Sequence, residues 1–181
     1  IMQTETIETK QQEDNFPKIY VACLSSYNAG RLYGKWIVPA NNETELDEQI
    51  KEVLKNSPMP DAEEWAIHDY DEFPNLGENP TFENIVNCQV AIEEHGIDVV
   101  NGFLENWQVE DLNSIDDAYY GEYDSFSDFA YQLAQDTIEG LNDNSTLARY
   151  FDYEAWERDL SYDFHEAEGK NGNTIIFNSN F

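Results

Sequence analysis

The chain has 181 residues, a formal net charge of −29 and 40 % hydrophobic residues, among them 4 Trp, 11 Tyr and 10 Phe. That apolar content suffices for one packed domain or a few small ones, and it excludes an acidic disordered tail, which would be poor in aromatics. The charge repels nucleic acid and anionic membrane, so basic proteins or cations are the partners it admits.

The charge is gathered in one place. From Asn56 to Ala148, 93 residues carry 22 Asp or Glu and no Lys or Arg, whereas residues 18–55 sum to zero and residues 149–181 to −4. Like charges so crowded repel across a Debye length of roughly 8 Å at physiological salt, which opposes compaction. Aromatics such as Trp65, Phe82, Phe103, Trp107, Phe126 and Phe129 are interleaved with them, so the stretch carries both core and charge.

Taken in order, residues 1–17 are polar and without period, and a flexible tail is expected there. IYVACL and LYGKWIV, separated by SSYNAG, predict a hairpin that ends at Pro39. A helix follows, with Asn42 and Glu45 at capping-box spacing and Leu46, Ile50, Val53 and Leu54 on one face. EEWAIHDY then returns as a third strand, giving an N-terminal α+β domain over 18–74. PNLGENP, at 74–80, has the composition of a linker.

Beyond the linker the period turns helical, and 75–117 reads as a helical middle domain. Thr81 caps a helix carrying Phe82, Ile85, Val86 and Val90 that stops at Gly96; a second turns Val99, Val100, Phe103, Leu104 and Trp107 inward; a short third carries Val109, Leu112 and Ile115. Residues 118–181 read as a C-terminal α+β domain. Ser125 and Asp128 open a helix that buries Phe126, Phe129, Ala130, Leu133, Ile138 and Leu141, and NDNS breaks it. A helix in DYEAWERDL capped by Asp152, then SYDFHEA, the turn EGKNGN and TIIFN complete the chain as a closing hairpin. The fold class is thus α+β in three small domains.

The sequence offers little catalytic chemistry, and neither an enzyme nor a cofactor is expected. Pairs such as Glu93/Glu94 suit general acid and base roles, but a chain with 38 acidic residues contains such neighbours by composition alone. A calcium loop opened at Asp116 puts Gly121 at its sixth position, yet Ala118, Tyr120 and Ser127 occupy the third, fifth and twelfth, where oxygen ligands belong. His68, His95 and His165 lie far apart with no metal-ligand spacing, and no phosphate-binding or nucleophile-elbow motif occurs. Cys23 and Cys88 form no CxxC and are expected as buried reduced thiols. No apolar run approaches the roughly 18 residues of a membrane span, and the polar start lacks a signal peptide's basic and apolar regions. A bacterial cytoplasmic protein, with no membrane and no nucleic-acid partner, is expected.

The acidic surface itself is then the working part. B-DNA carries about two negative charges per base pair, and two paired chains, each at −29, would match about 29 base pairs. The competing reading is a salt-adapted or cation-binding acidic protein, whose charge is a solvated coat. A coat should cover the whole fold, and the neutral segment 18–55 weighs against it.

Three stretches, IYVACLSSYNAGRLYGKWI, EEWAIHDYD at 63–71 and LARYFDYEAWERDL at 147–160, together resemble the ArdA antirestriction proteins of conjugative plasmids and transposons. The resemblance implies an elongated three-domain homodimer that mimics bent B-DNA and blocks type I restriction-modification enzymes, both the methyltransferase core and the complete nuclease. It implies that Tyr150, Phe151, Asp152, Tyr153, Trp156, Arg158 and Asp159 form the antirestriction motif, as dimer contact or fold-holding group. An i, i+4 pair of Glu154 with Arg158 is expected within it. The carboxylates expected to meet the target enzyme, held rigidly on helices, are Asp61, Glu63, Glu64, Asp98, Glu105, Glu110, Asp111, Asp116, Asp117, Glu122, Asp124, Asp128, Asp136, Glu139 and Asp143.

Overall fold

The computed structural model describes residues 16–60 and 62–181, so residues 1–15 of the expected tail and the candidate Asp61 lie outside the described residues. The fold is α+β, with helices set among two three-stranded antiparallel sheets. The chain divides into two compact units, one ending at Ile97 and one running from Asp98 to Phe181. That division falls inside the segment 75–117.

In the first unit, β1 (Lys18–Cys23) and β2 (Gly34–Ile37) form the predicted hairpin, with Ile19 opposite Ile37 and Tyr20 opposite Trp36. Their connection is more than a turn, since Leu24–Asn28 coils into a short helix, α1. Helix α2 (Glu43–Lys55) begins where Asn42 accepts a 2.9 Å hydrogen bond from the Glu45 N–H, and it buries Leu46, Ile50, Val53 and Leu54 as the spacing predicts. Strand β3 (Trp65–Asp71) pairs with the other side of β1, giving the order β2-β1-β3.

The segment 74–80 is laid along β3 rather than strung between domains. The Ile67 N–H donates to the Glu78 carbonyl at 2.8 Å and the Tyr70 hydroxyl to the Gly77 carbonyl at 2.6 Å. The first of these bonds occupies a backbone group that an uncovered strand edge would leave open, and the second ties the segment to a side chain of the strand. Helix α3 (Phe82–His95) follows, capped by the Thr81 side chain and ended by Gly96 at φ +85°, a conformation glycine adopts without strain. Its buried face is Ile85, Cys88, Gln89, Ala91 and Ile92, and the expected Val86 and Val90 are only half-buried. The stripe through Ile85 passes over a thiol and an amide, which a search for aliphatic residues overlooks.

The division falls one residue into α4 (Ile97–Leu104), which buries Val99, Val100 and Phe103, while Trp107 lies past its end and stacks on Phe103 at 4.8 Å. A 3₁₀ turn at Val109–Ser114 runs into α5 (Ile115–Ala118), so Leu112 and Ile115 are buried as expected. Then comes a strand that the sequence reading passes over, β4 (Tyr119–Tyr123). Helix α6 (Phe126–Thr137) starts at Ser125, whose hydroxyl accepts from the Asp128 N–H at 3.1 Å. It ends before Ile138 and Leu141, although Leu141 is still buried. Helix α7 (Tyr153–Leu160) and the hairpin of β5 (Phe164–Glu168) with β6 (Thr174–Asn178) close the unit, in the sheet order β4-β6-β5. Phe129, Ala130, Leu160 and Ile176 form its buried cluster, ringed by Tyr123, Phe126, Leu133, Trp156 and Phe164. Burying Phe129 alone stabilises the unit by about 1.5–3 kcal/mol.

Candidate acidic interface

Carboxylates remain at the surface because removing an unpaired charge from water costs far more than packing returns. Of those between Asn56 and Ala148, only Glu72 and Asp98 among the described residues are less than exposed. Aromatic and aliphatic neighbours hold the backbone while the charged ends stay in solvent.

The supports are more varied than the expected helices. Glu63 and Glu64 stand in the extended lead into β3, Glu122 on β4, Asp124 in the bend after it, and Glu105, Glu139 and Asp143 in turns. Asp98 on α4, Asp116 and Asp117 on α5, and Asp128 and Asp136 on α6 are the α-helical ones, with Glu110 and Asp111 on the 3₁₀ turn. The expected helical support is therefore corrected: of the fourteen described candidates, five stand on α-helices and nine on strand, coil, bend, turn or 3₁₀ backbone.

Several are steadied by local bonds. Asp98 accepts from the Lys170 N–H at 3.2 Å, Asp111 from the Gln108 N–H at 3.1 Å, and Glu122 from the Asn173 amide. Asp143 accepts from the Tyr131 hydroxyl and from the Gln135 amide at 3.4 Å. That phenol–carboxylate bond raises the Tyr131 hydroxyl to about 12, so the phenol stays protonated and donating. Each such bond fixes a direction for a charge that would otherwise sweep freely.

Two carboxylates outside the base-free stretch join this surface. Glu166 and Glu168, exposed on β5, line a groove with Glu105, and an adjoining groove brings Asp98, Glu105 and Glu168 beside Lys170. Their signal in the sequence is the alternation in FHEAE, although they lie in the weakly acidic flank. No group of three or more His, Cys, Asp or Glu among the described residues is arranged to hold a metal ion.

The motif at 147–160 divides by exposure. The Trp156 indole N–H donates to the Ala130 carbonyl at 2.8 Å, and Trp156 packs against the core that α6 and α7 share. Tyr153 accepts from Gln135 at 3.2 Å and meets the rings of Phe151 and Tyr131 at 4.7 and 5.2 Å. Asp152 caps α7 by accepting from the Ala155 N–H at 3.0 Å. Tyr150 is 83 % exposed, and Arg158 and Asp159 are also at the surface. The expected Glu154–Arg158 pair gives way to a 3.0 Å contact of Arg158 with its neighbour Asp159. Adjacency needs no reach across a helical turn, and both partners stay solvated.

Fold and surface together define an acidic α+β protein that turns the carboxylates of a base-free segment toward solvent. The chain belongs to the ArdA family of antirestriction proteins, whose family model matches residues 19–173. Its antirestriction function follows from that membership. No curated protein matches it by sequence. No helix among the described residues is long and apolar enough to cross a membrane.

Proposed function

We propose that the chain mimics DNA and inhibits type I restriction-modification enzymes by occupying the DNA groove of the methyltransferase core, alone and within the complete nuclease. Exposed carboxylates would stand where phosphates otherwise meet Lys and Arg, and no covalent step is involved. The observation that carries this reading is the exposure of nearly every described carboxylate in a segment that contains no Lys or Arg. Many such contacts acting together give tight association that salt weakens. The reading extends to a cytoplasmic homodimer joined through the C-terminal unit, where Tyr150 and Tyr162 are 83 % and 77 % exposed. An outward aromatic beside a helix end is the kind of residue that anchors an interface.

The test is displacement of a labelled duplex from a type I methyltransferase at physiological salt. Displacement that fades as salt rises is the expected result. Full DNA retention at micromolar protein would leave the acidic surface as a solvated coat. For the dimer, sedimentation of a Tyr150→Asp variant should show a lighter species than the parent, and an unchanged mass would exclude that contact.

A further inference from the structure

The opposite of the base-free stretch lies in the first unit. From Phe16 to Asn42 the chain contains no Asp or Glu, and it carries Lys18, Arg31 and Lys35. This acid-free segment folds as the β1–β2 hairpin, and β2 is the edge of its sheet on the side away from β3, which carries Asp69 and Asp71. Its apolar groups are not all used in packing. Leu32 is 87 % exposed, Tyr27 53 % and Trp36 44 %, with Trp36 resting edge-on against Tyr20 at 5.4 Å. Exposed Trp, Tyr and Arg are the residue types that carry protein–protein binding energy.

We propose that this hairpin is a second docking surface, and that its partner is an apolar, negatively charged protein surface on the target enzyme outside the DNA groove. The inference rests on the reading that the acidic segment enters that groove. A groove lined by Lys and Arg attracts the base-free segment and repels Arg31 and Lys35, so the two surfaces sort to different places on one enzyme. The hairpin thereby supplies what charge mimicry lacks. Apolar contact does not depend on ionic strength as phosphate-like contact does, so it discriminates among enzymes whose grooves are all basic.

The experiment measures binding of the labelled chain to a type I methyltransferase directly, and duplex displacement separately, at low and high salt. Leu32→Ser with Trp36→Ala, both solvent-facing, should weaken binding by about tenfold at every salt concentration while leaving the salt slope unchanged. Arg31→Glu with Lys35→Glu should weaken it as well. Stronger binding of that charge-reversed variant would put the hairpin over basic surface and overturn the proposal, as would undiminished binding of the Leu32/Trp36 variant. Binding without duplex displacement would sink the groove reading alone, since the hairpin variants would still report on the hairpin; no binding at all would sink both. Circular dichroism of each variant, unchanged from the parent, secures the comparison.

Discussion

A methyl group has no room at Gly102. A Cβ built there stands 2.7 Å from the Cβ of Ala167 and 3.1 Å from the ring of Phe177, so α4 lies against the β5–β6 hairpin by bare backbone. Alanine at this position favours the helix by propensity, but the facing methyl is not a flexible end that can swing away. Overpacking wins, and Gly102→Ala should lower stability by about 1–3 kcal/mol in chemical denaturation. Adding Ala167→Gly removes the facing atom and should recover part of the loss. Stability equal to the parent in the single variant would mean that α4 is not seated this closely. The surface pair Arg158–Asp159 is the contrasting case: both side chains are about two-thirds exposed, at 65 % and 68 %, and such pairs contribute little to stability.

The elements differ in how openly the sequence announces them. Helices α2, α3, α6 and α7 were legible because a capping residue and an apolar stripe agree, and Asn42, Thr81, Ser125 and Asp152 all accept the expected backbone N–H. Strand β4 was not legible, because Tyr119, Gly121 and Tyr123 alternate as half-buried positions among acids that suggest a loop. The pairing with β6 that makes it a strand is non-local. Glu166 and Glu168 were hidden for another reason, since they fall in the flank that sums to only −4, whereas the exposure of the base-free stretch followed from charge alone. Between Tyr70 and Cys88 the first unit holds a titration that the sequence does not reveal. Burial pushes the Cys88 thiol from its ordinary 9 to about 12 and the Tyr70 hydroxyl from 10 to about 12. Both folded values are raised, so the protonated forms stabilise the unit. That stability is complete below pH 9 and is lost as pH climbs toward about 12. Urea unfolding across this window should show a falling free energy, and Cys88→Ala should make the fall shallower whatever its effect at neutral pH. An identical slope in the variant would remove Cys88 from the account.

At the scale of the molecule, net charge and fold oppose each other. A surface of −29 repels itself, and salt relieves that repulsion, so the free chain should become more stable as ionic strength rises. Binding to a basic groove must respond in the opposite sense, because the same ions screen the attraction between partners. Opposite responses to one variable separate mimicry from a salt-adapted coat, for which stability alone would change. Replacing one exposed carboxylate by its amide removes one of many weak contacts and should alter inhibition little. Replacing about ten together, drawn from Glu63, Glu64, Glu105, Glu110, Asp111, Asp116, Asp117, Asp124, Asp136 and Glu139, should raise stability at low salt and at the same time weaken duplex displacement strongly. Both readouts belong in the experiment: a variant that gained stability yet displaced DNA as well as the parent would show that these charges act only on the fold. A variant that lost both would point to a folding defect, which circular dichroism would identify.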